Sequence, residues 1–446
     1  MNPAQHNLFV DAVELHKRGK YGEAENLYNR VLNGLPFEEN LLFCMADMYL
    51  RRDYNGLAAN LLTNLLTNNP QHAEAWCNLG ICFRKENKNE LAVQAWNKAL
   101  AIQGDTPEVC NNMAGLYCDQ SQPHAALPWI ERALKISPDD PGVLWHKSLA
   151  LLTMGEYEEG WKLYGKRQLK EGWDSRKGVD VPQWDGKPVE YLYIHGEQGV
   201  GDEIMFASAI PHVLGLAKHI TLEVNAKVAG IAKQTWPQFE VVKVEEPGRY
   251  DAKIPIGSLI GMFGTHPKPF LKPHPEKVSW YRRELEKLGE GPYVALTWLG
   301  GTKQTRAASR SLSLSDLKPI MDRFTCVSAQ YSQFEIFQFI ENERKKNGLA
   351  KINEASTGED LHDQAALFAA VDAVVTVQQT AVHVAGGVGA KTHAIIGSHP
   401  HWRYGLTSDK MPWYESVKLH RRKTSWEEVI GRVLNELESE LALAHH

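Results

Sequence analysis

The sequence is short of cysteine, of long apolar runs and of surplus positive charge, and each shortage removes a class of protein. It has six cysteines in 446 residues, none in a C-x-x-C arrangement. That excludes a disulfide framework or a cysteine-built zinc site and points to buried thiols in a reducing compartment. Five of them (Cys44, Cys77, Cys82, Cys110, Cys118) fall inside helical patterns. No apolar run approaches the ~18 residues of a membrane span. The opening MNPAQHNLFVDAVELHKRGK lacks the charged start and apolar block of a secretory signal, so the expected location is cytoplasmic. Lys and Arg number 49 against 54 Asp and Glu, a net charge of −5. Nucleic acid is therefore not the expected partner, because phosphate neutralisation needs clustered cations. A chain of this length, 43% hydrophobic and 23% charged, is expected to fold as two or three globular domains.

What the chain does have is repetition. Frames starting at residues 5, 39, 73, 107 and 141 share a period of about 34 residues. The clearest copy, AEAWCNLGICFRKENKNELAVQAWNKALAIQG, carries Trp76, Leu79, Gly80, Phe83, Ala92, Trp96 and Ala99. The next keeps Met113, Ala114, Tyr117, Ala126, Ala133 and Pro138. Earlier copies keep Ala24, Tyr28 and Pro36, then Ala46, Tyr49, Ala58 and Pro70. Gly160 replaces the small alanine in the fifth, as in a terminal unit. Small residues let paired helices approach, large ones fill the gap to the next pair, and proline ends the second helix. Residues 1–170 thus resemble a tetratricopeptide solenoid, which either holds a peptide or protein on its concave face or braces its neighbour. Asn78 and Asn112 occupy the same position in consecutive repeats. Side-chain amides both donate and accept, so such a pair suits an acceptor peptide backbone. The arrangement resembles the asparagine ladder of the O-GlcNAc transferase family.

After residue 170 the period changes. VEYLYIHG, ITLEVNA, FEVVKV and AKIPIG read as strand-like segments, with helices over DEIMFASAIPHVLGLAKH and near 226–235. A second series runs through the strands PYVALTWLG, FTCVSAQYS, LAKINEA, DAVVTV and KTHAIIG, with helices at QFEIFQFIENERKKNG, LHDQAALFAAV and TAVHVAGGVG and a long helical tail. The expected fold class is α plus α/β: an all-α solenoid (1–170), then two Rossmann-like domains (171–275 and 276–446) facing a cleft. Ligands of such sheets sit beyond the carboxyl ends of the strands.

Two turns lie there. In IHGEQGVGDEIMF, Gly199 and Gly201 follow a strand and let a ligand approach the backbone. Asp202 and Glu203 stand where a dinucleotide pyrophosphate would be repelled. Asp202 is therefore either a helix cap or a base at a helix N-terminus, with Glu203 as the local substitute. In TVQQTAVHVAGGVGAKTH, Gln378, Gln379 and Thr380 open a helix whose first turn carries His383, either an anion site or a capped helix with a buried histidine. Lys303, Arg306 and Arg310 in WLGGTKQTRAASRSL are either phosphate clamps or a solvated basic loop.

Taken together, GEQGVGDEIMFASAIPHV, VVTVQQTAVHVAGGVGAKTHAIIG, HWRYG and MPWYESVKLHRR resemble the heptosyltransferase-like branch of the two-domain (GT-B) glycosyltransferases. The likeness is strongest to bacterial proteins that join such a module to tetratricopeptide repeats, among them transferases acting on flagellin. The resemblance implies an inverting transferase with no metal and no cofactor beyond its nucleotide-sugar substrate, and the sequence has no D-x-D pair. It implies Asp202 as general base, and donor contacts from Gly199, Gly201, Trp298, Lys303, Arg310, Gln378, Gln379, Thr380 and His383, the histidine adding a proton or positive charge. Asn78, Asn112 and Glu203 are expected on the acceptor side. Gln378 or Gln379 stands where many relatives have an acidic residue, which leaves the sugar open. The expected reaction is transfer to Ser or Thr of a protein, with flagellin as one possible acceptor. Transfer to a glycan or lipopolysaccharide core, or an inactive adaptor role, are the alternatives.

Overall fold

A computed structural model describes residues 1–169, 179–244, 248–266, 268–301, 307–330, 336–352 and 360–442. The chain divides into two compact units, Met1–Ala150 and Leu151–His446.

The first unit is built from helix hairpins: α1 (Pro3–Lys17) with α2 (Tyr21–Leu32), α3 (Glu39–Arg51) with α4 (Asn55–Asn68), α5 (Ala73–Lys85) with α6 (Asn89–Gln103), α7 (Pro107–Asp119) with α8 (Pro123–Ile136), and then α9 (Pro141–Met154). The repeat is visible in the backbone itself. Gly19, Asp53, Asn87, Ser121 and Gly155 all adopt positive φ, between 57° and 89°, and they recur at the repeat period. Each reverses the chain between the two helices of a pair, a turn the left-handed region provides. The alanines at the repeat positions (Ala24, Ala58, Ala92, Ala126) are fully buried, as is Trp96. The Trp96 indole donates to the Cys77 carbonyl at 3.1 Å. All six cysteines are free, and burial pushes the Cys77, Cys82 and Cys326 thiols up to about 12, so these three are inert.

The second unit takes in the last turn of α9 and then α10 (Tyr157–Tyr164), which packs on α13 (Ser258–Phe263) of the α/β region. Trp161 and Tyr164 of α10 meet Phe206 and Trp402 edge-on or tilted at centroid separations of 4.9–6.3 Å, counting their own contact. The compact boundary falls at Ala150, and this aromatic cluster packs the fifth repeat's second helix against the α/β region.

Two parallel sheets follow. The first comprises β1 (Val189–His195), β2 (Ala217–Glu223), β3 (Glu240–Val242) and β4 (Ala252–Pro255) in the order β3-β2-β1-β4. The second comprises β5 (Tyr293–Leu296), β6 (Thr325–Ser328), β7 (Ala373–Val377), β8 (Thr392–Ile396) and β9 (Val417–Arg421) in the order β6-β5-β7-β8-β9. The helices α11 (Val200–Ala207), α12 (Ala226–Thr235), α14 (Pro275–Glu286), α15 (Ala307–Arg310), α16 (Lys318–Met321), α17 (Phe337–Lys346), α18 (Leu361–Ala370), α19 (Thr380–Val388) and α20 (Trp426–Ala442) lie in the connections and the tail. Strands β5, β7 and β8 are buried at every residue, as expected of parallel strands covered on both faces. The order reverses at β1/β4 and at β5/β7, the switch points where such sheets bind ligands.

The fold class is as expected, an all-α repeat region followed by α/β sheets. Three local expectations need correction. The helix expected over 202–219 stops at Ala207, with a short 3-10 turn at Ile210–His212, and β2 is already under way at Ala217; Pro211 cannot continue an α ladder. Of LAKINEA, Ala350 forms only an isolated bridge with Val327, and residues 353–359 lie outside the described set. Conversely VKLHR, not assigned to any element, is the edge strand β9.

A Cβ at Gly80 would stand 2.3–2.8 Å from the Trp96 indole. Gly80→Ala is therefore expected to destabilise the repeats by about 1–3 kcal/mol, read as a lowered denaturation midpoint with the far-UV spectrum retained.

Candidate functional site

Both conspicuous turns end on one cavity of about 390 Å³ in the second unit. Gly199, Gly201 and Asp202 enter it from β1 and α11. Arg310, Gln378, Gln379, Thr380 and His383 enter from the second sheet, and Lys227, His401 and Arg403 complete its polar wall. The helices α11 and α19 meet at their first turns. A Cβ at Gly201 would lie 3.1 Å from His383 Cδ2 and 3.4 Å from Thr380 Oγ1, so the bare backbone of glycine is what permits this approach.

Asp202 occupies the third position of α11. Its carboxylate accepts from the Gly199 N–H at 3.4 Å, a long contact, and forms an ion pair with Arg403, both side chains being mostly buried. It thus combines a cap with a charge facing the cavity. Arg403 was not singled out in the sequence, although it lies within HWRYG; its guanidinium also stands 5.1 Å from the Trp402 ring centroid.

The loop that presents Gly199 is anchored from below. Arg167, fully buried, donates through Nε to Glu197 at 2.9 Å, and the Gly257 N–H donates to the same carboxylate at 2.9 Å. Arg167 also donates to the Tyr164 carbonyl at 2.8 Å. Buried charges of this kind persist only when paired and hydrogen-bonded. Next to Glu197, Gln198 adopts φ of 63°, turning the chain into α11. A pair 30 residues apart in sequence leaves no local signature.

On the opposite wall α19 starts at Thr380 without a side-chain cap, and Thr380 and Ala381 line the cavity. Its first-turn amides and dipole make an electropositive end. Gln378 is fully buried, and neither polar atom of its amide has a hydrogen-bond partner among the described residues. Gln330, also in the wall, is committed to structure: its carbonyl accepts from the Trp298 and Leu299 N–H groups at 2.8 and 2.9 Å. The charged side chains of the described wall are Lys227, Arg310 and Arg403 against Asp202, a balance suited to an anionic ligand.

Several sequence expectations change. Trp298 does not face the cavity; it is fully buried in the core with Leu314, Val375 and Val433. Glu203 is buried and accepts from the Asn225 N–H at 2.9 Å, so it braces the β2–α12 loop rather than meeting an acceptor. His383 brings no positive charge: burial and, secondarily, the Arg403 guanidinium hold its pKa well below the usual histidine value, while Nδ1 lies 3.1 Å from the Tyr414 hydroxyl. Lys303 and Arg306 lie outside the described residues. Asn78 and Asn112, in the first unit, are half-buried on α5 and α7, and the Asn112 amide donates to Cys77 Sγ at 3.7 Å.

Residues 73–105 match the tetratricopeptide repeat family, so the chain carries tetratricopeptide repeats, modules associated with protein–protein contact. Protein FlbA of Caulobacter vibrioides is 24% identical, with 96% of this chain and 83% of that protein covered. A tetratricopeptide repeat-containing protein of Caenorhabditis elegans is 22% identical over 35% of this chain and 24% of its own length. A thermophilic TPR protein in Thermus thermophilus is similar at 19% identity and a TM-score of 0.34, covering 38% of this chain and 93% of that one. No described helix is long and apolar enough to cross a membrane.

The neutral state of His383 has a consequence for stability. The unfolded chain protonates this residue near its ordinary value of about 6.5, whereas the folded protein does not. The unfolded state then binds more protons, so stability is unaffected above that value and declines as pH falls below it. His16, His362, His393 and His420 are lowered in the same direction. The melting temperature is expected to drop between about pH 6.5 and about pH 5, less steeply in His383→Gln than in the parent.

Proposed function

We propose that this protein is an inverting glycosyltransferase that moves a sugar from a nucleotide-sugar donor to a Ser or Thr hydroxyl of a protein held by the repeats. The observation that carries the reading is the shared cavity. A carboxylate on one wall faces three cationic side chains and the uncapped N-terminus of α19. Its volume lies in the range of pockets that hold small organic ligands, roughly 300–1,000 Å³.

In this mechanism Asp202 takes the proton of the acceptor hydroxyl as its oxygen attacks the anomeric carbon. The bond from that carbon to the phosphate oxygen breaks on the opposite face, inverting the centre, and the nucleotide leaves with the electron pair. Negative charge growing on the leaving phosphate is met by the α19 amides, Arg310 and Arg403. His383, neutral, serves as a hydrogen-bonding wall. The chemistry described asks for no metal. The repeats supply the acceptor, with Asn78 and Asn112 gripping its backbone.

Asp202→Asn tests the base. Transfer is expected to fall by at least about 100-fold, while the donor still raises the melting temperature; retained turnover would remove Asp202 from the chemistry. The pair Asn78→Ala with Asn112→Ala tests the acceptor. Transfer to protein is expected to weaken while hydrolysis of the donor continues unchanged. Equal loss of both would separate the repeats from acceptor capture.

A further inference from the structure

A second cluster of chemistry-bearing side chains lies in the second unit and shares no lining residue with the Asp202 cavity. The parallel register of β8 and β9 sets His393 beside Lys418 and Ile395 beside His420. The two-residue period of strands then puts both histidines on one face. Helix α20 packs against both strands and brings Glu436 to the histidines. His393 Nδ1 lies 2.9 Å from His420 Nε2, and Glu436 Oε2 lies 3.9 and 3.7 Å from these two nitrogens. Both imidazoles are almost fully buried, at 1% and 2% exposed.

These separations have a shape. The point equidistant from the three atoms is about 2.1 Å from each, which coincides with Zn–N and Zn–O bonds of ~2.0–2.2 Å. The surrounding carboxylate also fits. Glu440 Oε2 stands 3.5 Å from His393 Nε2 without hydrogen-bonding it, near enough to move in and accept the Nε2 proton once an ion takes Nδ1, as in the carboxylate–histidine–metal arrangement. Lys418 Nζ, 2.8 Å from Glu436 Oε2, pairs with the carboxylate, and Asp409 also acts on this lysine electrostatically. Lys391 opposes Glu440 at 3.5 Å. His393, Lys418 and Glu440 line a surface recess of about 760 Å³, and the Glu436 side chain is one-third exposed, so the cluster lies close to solvent.

We propose that His393, His420 and Glu436 bind one divalent transition-metal ion of the zinc class, fastening α20 to the edge of the second sheet. Two imidazoles and one carboxylate favour zinc, cobalt, nickel or copper over the oxygen-seeking magnesium and calcium. The fourth position is left to water, and the ion has no part in the transfer reaction.

The test uses the full chain stripped with a chelator and titrated with zinc or cobalt chloride, with magnesium and calcium chloride in parallel. Zinc is expected to bind with one-to-one stoichiometry and raise the melting temperature, and cobalt to give the visible bands of a four-coordinate nitrogen and oxygen site. Magnesium and calcium leave both readouts unchanged. Glu436→Gln, at a half-exposed helix position, and His420→Gln should each weaken zinc binding at least tenfold, and Glu440→Gln about tenfold. No stoichiometric uptake, or uptake that persists unweakened in Glu436→Gln and His420→Gln, would overturn the site.

Discussion

The arrangement of the α/β region turns on two helix N-termini brought tip to tip. The starts of α11 and α19 both carry unsatisfied amides and the positive end of a dipole, and Gly201 lets them converge on a single cavity. Two such ends, with Arg403 and Arg310 beside them, create a potential that favours negative charge. Asp202 supplies one such charge within the protein, paired with Arg403. The rest of the cavity wall reads as a response to that electropositive centre. Neutral His383, neutral Gln378 and the uncharged Tyr404, whose pKa burial raises to about 12, add polarity without adding charge.

The supports for this centre come from far along the chain. Arg167 reaches the β1 loop from the end of the repeat-like segment, and its guanidinium, held by Glu197, the Tyr164 carbonyl and Ser258 Oγ, fixes the turn that carries Gly199. Trp161 and Tyr164 lock the same segment against Phe206 and Trp402. A helix that belongs to the repeats by sequence period thus belongs to the α/β region by packing. The repeat length and the compact boundary differ because aromatic burial, not periodicity, decides where α10 rests.

The features legible in the chain were those whose physical cause is local. Small residues at Ala58 and Ala92 and a bulky Trp96 against Gly80 are requirements each repeat meets within itself. The glycine–aspartate turn and the strand–turn–helix around Thr380 are local too, and the structure brings both to one cavity. What was not legible depends on distant partners. Trp298 looks like a ligand platform until the core around Leu314 and Val433 encloses it. His383 looks like a proton source until Tyr414 and Arg403 surround it. Arg403 is an ordinary surface-type residue until β9 and its preceding loop carry it to Asp202, and Glu203 looks available until the Asn225 amide claims it.

Contact at Gly201 also sets what that position tolerates. A Cβ there would stand 3.1 Å from His383 Cδ2 and 3.4 Å from Thr380 Oγ1, so a larger residue has to push against the first turn of α19. The separation of the two walls is thereby tied to a single position in the chain.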